Sequence, residues 1–310
     1  MKKVLSIILT VLILSTAIFT LVSCGGEKNI TVLAREQSSG TREAFDKVVT
    51  NGEHFLQEKN ENGDTVFNTT VEAVIGTSTG TIRSSVESDE NAIGYISLGS
   101  VSDSIKVIKV NGVLPSKETV LDGTYKIQRP FVVMTNSNVS LTERAKDFMN
   151  YLKSSYAEAH VEAAGGVYLE NPEMRANEGS NPIPVYEYKK LDNLPQGSKI
   201  VVRGSTSMEK FINSAAKGYA DMYGVSASDI FDIELEGSSV GRKAVEGDTT
   251  GNIIGLSSAN VNQSNIECFN VCLDAVAVIV NKNNTTVNDL TLIQLYQIYT
   301  GEIKKFSEIK

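Results

Sequence analysis

Short apolar runs alternate with amphipathic stretches along most of this chain. The apolar runs, which are typical of buried strands, stand at 30–33, 71–75, 92–97, 105–110, 130–134, 200–202, 230–235, 252–254 and 275–280. Apolar residues at helical spacing form their longest stripes at 141–152, 208–219 and 292–299. This alternation predicts an α/β protein with mainly parallel sheets, and ligands of such sheets bind at the carboxyl ends of the strands.

Loops rich in serine, threonine and glycine follow four of these strands. They are 35–42, 203–207, 236–241 and 255–258. The first two run into the start of a predicted helix, where unpaired N–H groups and the helix dipole favour an anion. Taken singly, such a loop also fits an ordinary helix N-cap, with Thr206 and Glu209 as a capping box. The recurrence of the pattern and the charge of Arg35 favour an anion-binding site.

The N-terminus has the features of an export signal. Lys2 and Lys3 precede an apolar run over 4–22, and small residues lead up to Cys24. The tetrapeptide that ends in Cys24 resembles a bacterial lipoprotein signal, in which the cysteine becomes the first residue and carries lipid such as palmitate. We therefore expect a signal peptide over 1–23 and a polar tether over 24–28. An uncleaved membrane helix is the alternative, because the run is nearly long enough to span a bilayer.

Charge and composition argue against several classes of partner and site. The net charge of −8 argues against nucleic acid as a partner. Cys268 and Cys272 are expected to be two buried thiols, since an extended spacing of four holds them apart. His54 and His160 are the only histidines, and neither has a cysteine or a second histidine nearby in sequence. A histidine-based metal site or a Ser-His nucleophile is therefore poorly supported, and no cofactor is expected.

Residues 34–45, read as AREQSSGTREAF, resemble the central signature of bacterial phosphate-binding proteins, the solute receptors of phosphate ABC importers. The Arg-x-x-x-Ser-Gly-Thr element is its most specific part. Further segments are similar to other parts of that family, and the resemblance covers nearly all of the mature chain. These segments are 91–97, 125–130, 204–207, 237–239, 255–258, 274–281 and 299–302.

The order of these segments is reversed relative to the family. Members of the family begin with the Gly-Ser-Thr-Ser segment, which here stands at 204–207, and reach the Ser-Gly-Thr segment later. Each motif occurs once, so the chain is interpreted as a circular permutant of a complete receptor. A rearranged or fragmentary gene is the alternative. A true permutant requires Asn29 and Lys310 to lie close together.

The resemblance implies an anion held between two lobes. One lobe would provide Arg35, Ser39, Gly40 and Thr41, and the other Ser207, the backbone of Met208, Ser238 and Ser258. Many family members carry an aspartate where Ser258 stands, which accepts the proton of hydrogen phosphate and repels sulfate. A serine can accept that proton but cannot repel, so selectivity against sulfate stays open.

The expected fold is the two-lobed type II periplasmic-binding-protein fold in permuted order, closing by a hinge. Lobe one would comprise 29–103 and 281–310, and lobe two 104–280, with crossing strands near 93–97 and 277–281. The expected function is capture of inorganic phosphate for an ABC importer permease and ATPase, on the outer face of the cell membrane through a lipid anchor.

Three alternatives stay open beside that function. The first is a receptor for another oxyanion such as sulfate or molybdate, and the second is a sensing or adhesion lipoprotein. The third is a serine hydrolase using Ser39 or Ser207, which is disfavoured because the sequence shows no base for either.

Overall fold

The computed structural model describes residues 27–177 and 181–309, so the predicted signal peptide and Cys24 lie outside the described residues. The strands are β1 (Thr31–Arg35), β2 (Gln57–Lys59), β3 (Thr65–Phe67), β4 (Val74–Gly76), β5 (Ala92–Ser97), β6 (Ile105–Val107), β7 (Lys109–Val110), β8 (Gln128–Asn136), β9 (Val167–Tyr168), β10 (Ile200–Gly204), β11 (Phe231–Leu235), β12 (Ile253–Ser257), β13 (Ile266–Asn281) and β14 (Asp289–Leu290). The α-helices are α1 (Gly40–Asp46), α2 (Thr79–Ser88), α3 (Lys117–Leu121), α4 (Glu143–Lys153), α5 (Tyr156–Ala163), α6 (Pro172–Arg175), α7 (Glu209–Met222), α8 (Ala227–Ile230), α9 (Ser238–Glu246) and α10 (Leu292–Thr300). Single 3₁₀ turns lie at Leu98–Ser100, Thr206–Met208 and Phe306–Glu308.

One long sheet runs through two lobes in the order β11-β10-β12-β8-β13-β5-β1-β4. Strand β1 pairs in parallel with β4 and β5, and β10 pairs in parallel with β11 and β12. Strands β8 and β13 lie between these groups and pair antiparallel with their neighbours. The predicted parallel order therefore holds at both ends of the sheet, and an antiparallel pair joins the two ends.

Each lobe buries both faces of its part of the sheet. In lobe one, α1 and α10 cover one face, where Phe45, Tyr95 and Tyr299 pack together with ring centroids 4.1–5.7 Å apart. Helix α2 covers the opposite face through Ile82 and Val86. These side chains form the core of lobe one, and burial of their apolar surface is the main favourable contribution to its folding.

Lobe two is built in the same way. Helices α4, α5 and α7 cover one face of β8, β10 and β12, and α9 covers the other face through Val245. The predicted amphipathic stripe of α7 is buried at Phe211, Ile212, Ala215 and Tyr219. The expected pair of buried thiols is confirmed, since Cys268 and Cys272 both lie unbridged on β13. Burial raises the pKa of the Cys268 thiol to about 11.

Strand β13 contributes side chains to both cores. Phe269 and Val271 pack in the core of lobe two, whereas Ala275 and Val276 already pack in that of lobe one. The crossing expected at 277–281 stays a prediction. Residues between 108 and 127, which the predicted boundary placed in lobe two, contribute buried side chains to the core of lobe one.

The two ends of the described chain meet in lobe one. The backbone N–H of Ile30 donates to the carbonyl oxygen of Lys304 at 2.7 Å. Ser307 donates both its N–H and its hydroxyl to the Glu27 carboxylate. The two ends of the described segment thus lie side by side, and the expected closeness of Asn29 and Lys310 stays a prediction because Lys310 is outside the described residues. None of the helices in 27–177 and 181–309 is both long and apolar enough to cross a bilayer.

Candidate functional site

The first candidate loop connects β1 to α1 at the edge of lobe one. Ser39 caps α1, because its hydroxyl oxygen accepts from the N–H groups of Thr41 and Arg42 at 3.2 and 3.4 Å. Arg35 ends β1, and its N–H donates to the Tyr95 hydroxyl at 3.1 Å. Arg35, Ser39 and Thr41 are all buried, although each carries a polar group. Buried polar groups need partners, so this loop is held by specific contacts.

Lobe two contributes three serine-bearing strand ends. Ser205 Oγ donates to Ser258 Oγ at 2.8 Å, and Ser238 Oγ lies 3.2 Å from Ser258 Oγ. The N–H of Ser258 also donates to Ser238 Oγ at 3.0 Å. Gly237 precedes α9 with φ of +125°, a conformation that side chains rarely adopt, and this brings Ser238 to the cluster. The ends of β10 and β12 and the start of α9 thus share one hydroxyl cluster.

The two lobes meet directly at these loops. Thr41 Oγ1 lies 2.9 Å from Ser207 Oγ, and Thr79 Oγ1 from α2 lies 3.2 Å from the same atom. Gly40 is pressed against the lobe-two cluster, since a Cβ there would lie 2.7 Å from Ser258 Oγ and 2.8 Å from Ser238 Oγ. The predicted residues of both lobes are therefore brought together at one place.

Arg35 is the cation at this place, and its charge is compensated. Its Nε and Nη2 donate to the two oxygens of Glu36 at 2.8 and 2.7 Å. Its Nη1 and Nη2 also approach the hydroxyls of Thr79 and Thr206 at 3.4 Å each. A bidentate pair of this kind fixes the plane of the guanidinium, so Arg35 is oriented before any ligand arrives.

A second buried ion pair lies behind the hydroxyl cluster. Arg129 on β8 donates to Asp274 Oδ2 from both Nε and Nη2, at 3.1 and 3.0 Å. Asp274 also accepts from Ser97 at 2.8 Å, and Arg129 Nη1 reaches the carbonyl oxygen of Ser258 at 3.4 Å. Burial raises the pKa of Asp274, and the neighbouring Arg129 opposes that shift. The pair ties β5, β8 and β13 to the serine cluster.

Several details differ from the sequence-based expectations. The backbone of Met208 was expected to contribute to the anion site; its N–H donates to the carbonyl oxygen of Ser205 at 3.1 Å, and its side chain lies in the core of lobe two. Thr206 was expected to cap the following helix. Ser205 instead caps the short 3₁₀ turn Thr206–Met208, accepting from the N–H of Ser207 at 3.3 Å, and the N-cap position of α7, Met208, makes no side-chain cap.

Four polar residues of the site were not selected from the sequence. Ser205 and Thr206 lie inside the quoted second loop, and Thr79 lies in the Gly-Thr-Ser-Thr-Gly turn before α2, so a hydroxyl count would have found them. Glu36 had no comparable signal, since its role depends on the pairing with Arg35.

His160 has partners that the sequence did not reveal. Its Nδ1 lies 2.9 Å from Ser214 Oγ and its Nε2 lies 2.6 Å from the Tyr151 hydroxyl, on the helical side of lobe two. Burial lowers the pKa of His160. Within the described part of the chain, no group of three or more His, Cys, Asp or Glu side chains is arranged to hold a metal ion.

Comparison with known proteins decides the family. The model of the PBP superfamily domain matches residues 17–155 and 187–308. Phosphate-binding protein PstS 2 of Streptococcus agalactiae serotype V is 30% identical over 292 residues, which cover 93% of this chain and 90% of that protein. This chain belongs to the PstS family of the PBP superfamily.

Two further matches concern the fold and the chain order of this PstS-family member. The crystal structure of a phosphate-binding protein of a phosphate ABC transporter from Streptococcus pneumoniae TIGR4 has a TM-score of 0.64 and 30% identity, covering 91% of this chain and 100% of that one. The phosphate-binding protein PstS of Bacillus subtilis strain 168 is 25% identical over 158 residues, only 51% of this chain and 47% of that protein.

These matches confirm the predicted family and the two-lobed periplasmic-binding-protein fold. The relatives are named as phosphate-binding proteins, one of them of a phosphate ABC transporter, and none of these names describes a hydrolase.

Proposed function

We propose that this chain captures inorganic phosphate between its lobes and delivers it to the permease and ATPase of an ABC importer. The observation that carries the proposal is the meeting of Arg35, Thr41 and Ser207 across the cleft, in a family whose relatives are named for phosphate. The names of those relatives and the S. pneumoniae structure support both the ligand and the transporter partner.

The chemistry of the cleft suits a small oxyanion. Hydroxyl groups donate and accept, so Ser39, Thr41, Ser207, Ser238 and Ser258 can replace the water around phosphate and also accept its proton. Arg35 supplies positive charge, but Glu36 balances it, and the net charge of the protein is −8. Binding therefore depends on directed donors in a desolvated cleft rather than on a broad positive field.

Selectivity is a separate part of the proposal. The carboxylates near the cleft, Glu36 and Asp274, each pair with an arginine. With a serine at 258, acceptance of the phosphate proton falls to hydroxyls, which do not repel sulfate. Phosphate is the first choice because of the named relatives, and sulfate and molybdate are the competing ligands.

We also propose anchoring of the chain on the outer face of the cell membrane through lipid on Cys24. The basic start, the apolar run over 4–22 and the small residues before Cys24 support this. Mass spectrometry of the protein from native membranes tests it: a diacylated N-terminal Cys24 is expected, and an intact residue 1–23 segment would contradict it.

We also propose that a circular permutation accounts for the reversed order of the sequence segments. The contact of Glu27 with Ser307 supports it, because joined ends must be neighbours. The half-length match to the B. subtilis protein also supports it, since a linear alignment with a permuted relative can follow only one half. The match over nine-tenths of the S. agalactiae protein argues against a fragmentary gene, because the similarity extends over 93% of this chain and 90% of that one.

Calorimetry on the purified protein with phosphate, sulfate and molybdate tests the proposed ligand. We expect one phosphate per chain with the tightest binding of the three. Tighter binding of sulfate or molybdate would identify that anion as the ligand in place of phosphate. If none of the three anions binds, the sensing or adhesion alternative is favoured.

A further inference from the structure

Arg42 and Asp46 form a buried pair one layer behind the candidate anion loop. Both lie on α1, and Arg42 Nε donates to Asp46 Oδ2 at 2.9 Å. Arg42 Nη1 donates to the carbonyl oxygen of Arg35 at 2.8 Å, and its guanidinium lies 5.0 Å from the centre of the Phe67 ring. Arg42 therefore connects Asp46 to the residue that carries the charge of the site.

Asp46 has fewer hydrogen-bond partners than a carboxylate buried this deeply needs. Its side chain is 1% exposed, and Oδ1 has no hydrogen-bond partner among the described residues. A buried carboxylate oxygen without a donor is costly when the group is ionised. Burial raises the pKa of Asp46 to about 6, although Arg42 opposes the shift.

Among the residues that the structure describes, Arg42 is the cation that pairs with Asp46. Arg42 faces it from its own helix, Arg35 lies beyond Arg42, and the rings of Tyr95 on β5 and Tyr299 on α10 face it from the core. The Tyr95 hydroxyl accepts from the N–H of Arg35, and the Tyr299 hydroxyl donates to the carbonyl oxygen of Leu33. Both hydroxyls thus have partners away from Asp46.

We propose that Arg42 and Asp46 position the anion loop, and that Asp46 takes up a proton when an oxyanion enters the cleft. This inference rests on the proposed function. A negative ligand beside Arg35 disfavours a second negative charge on Asp46, and the buried path between them is little screened by salt. With Asp46 neutral, the charge of Arg42 is no longer compensated and favours the anion. By reciprocity, protonation of Asp46 strengthens anion binding.

Calorimetry with inorganic phosphate at pH 5 and pH 8 tests the coupling on three proteins. These are the wild type, Asp46→Asn, and Glu43→Gln, which changes a more exposed carboxylate of the same helix that pairs with Lys47. Titration of phosphate itself affects all three alike, so ratios of Kd isolate the protein. At pH 8 we expect Asp46→Asn to bind roughly three- to tenfold more tightly than the wild type, which corresponds to about half to one pKa unit of coupling.

At pH 5, where Asp46 of the wild type is largely protonated, that ratio should approach one, and Glu43→Gln should follow the wild type at both pH values. A ratio of one at both pH values, or an equal weakening at both, would overturn the proposal, because a merely structural role does not depend on pH.

A measurement on the wild type alone covers the case in which Asp46→Asn does not fold. Carbon-13 NMR of the assigned Asp46 carboxyl should show its pKa rising by about half to one unit when phosphate is added to saturation. An unchanged pKa in a protein that binds phosphate overturns this inference and leaves the proposed function standing. Failure of the wild type to bind phosphate at either pH overturns both.

Discussion

Gly40 is the position at which a single methyl group should block closure of the lobes. Replacement by alanine would place a Cβ 2.7 Å from Ser258 Oγ, 2.8 Å from Ser238 Oγ and 2.8 Å from the backbone carbon of Ser258. Cβ atoms in proteins essentially never approach other heavy atoms below 3.0 Å, and one of these neighbours is backbone. Relief therefore requires the lobes to stay slightly apart.

The cost of that methyl group should appear in binding rather than in folding. Gly40 belongs to lobe one and its neighbours to lobe two, so the clash exists only when the lobes are closed. Overpacking of a well-filled site costs about 1–3 kcal/mol. If this cost falls on the closed, ligand-bound state alone, Kd for phosphate should rise about 5- to 150-fold.

Gly80→Ala is the matched control for Gly40→Ala. Gly80 lies near the start of α2, and the nearest atom to its added Cβ would be Ser78 Oγ at 3.7 Å, an ordinary contact. Calorimetry should give an unchanged Kd for Gly80→Ala, and thermal unfolding without ligand should be similar for Gly40→Ala and the wild type. Wild-type affinity in Gly40→Ala, or an equal loss in both variants, would refute the closed contact of Gly40 with the serine cluster.

Three further predictions follow from the same contacts. Arg35→Ala should weaken phosphate binding by about 1.5–3 kcal/mol, since it removes a buried charged donor. Arg83→Ala, on the outer side of α2, should leave Kd for phosphate unchanged. Equal effects of the two substitutions in calorimetry would contradict the placement of Arg35 in the binding site. A short linker joining the two chain ends, with a new start at the exposed Lys199, should yield a folded phosphate binder by circular dichroism and calorimetry, and an unfolded product would count against permutation. Because the pKa of Asp46 is raised to about 6, its ionisation destabilises the fold at higher pH. Asp46→Asn should therefore have an unfolding free energy about 2–3 kcal/mol above that of the wild type at pH 8, and this difference should disappear below about pH 4. Denaturant unfolding that shows no such pH dependence would contradict the prediction.

The elements that the sequence predicted well are those fixed by local pattern. Helix α7 follows from its apolar stripe, and the start of α1 from the serine-rich loop before it, because both depend on neighbours within one or two turns. Strand β13 was foreseen only in its last part, since polar residues interrupt its first part. Asp274 is satisfied by Arg129, and Asn270 donates to backbone carbonyls of the 174–176 segment, which no local pattern reveals.

The candidate site shows the same division. Its hydroxyl loops were visible because serine and glycine cluster at strand ends, and the structure brings Thr41 into contact with Ser207 and Gly40 against Ser238. The compensation of Arg35 by Glu36 depends on side-chain geometry, and the loss of the Met208 N–H to a turn depends on backbone geometry. Neither could be read from the order of residues. The residue roles and the lobe boundaries stay predictions.

A crystal structure of the protein grown with phosphate would show whether the anion binds between the two lobes. We expect closed lobes with one phosphate within hydrogen-bond distance of Arg35, Thr41, Ser207 and Ser238, in place of the direct contact between the Thr41 and Ser207 hydroxyls. Phosphate bound elsewhere on the chain, with these side chains still contacting one another, would contradict it.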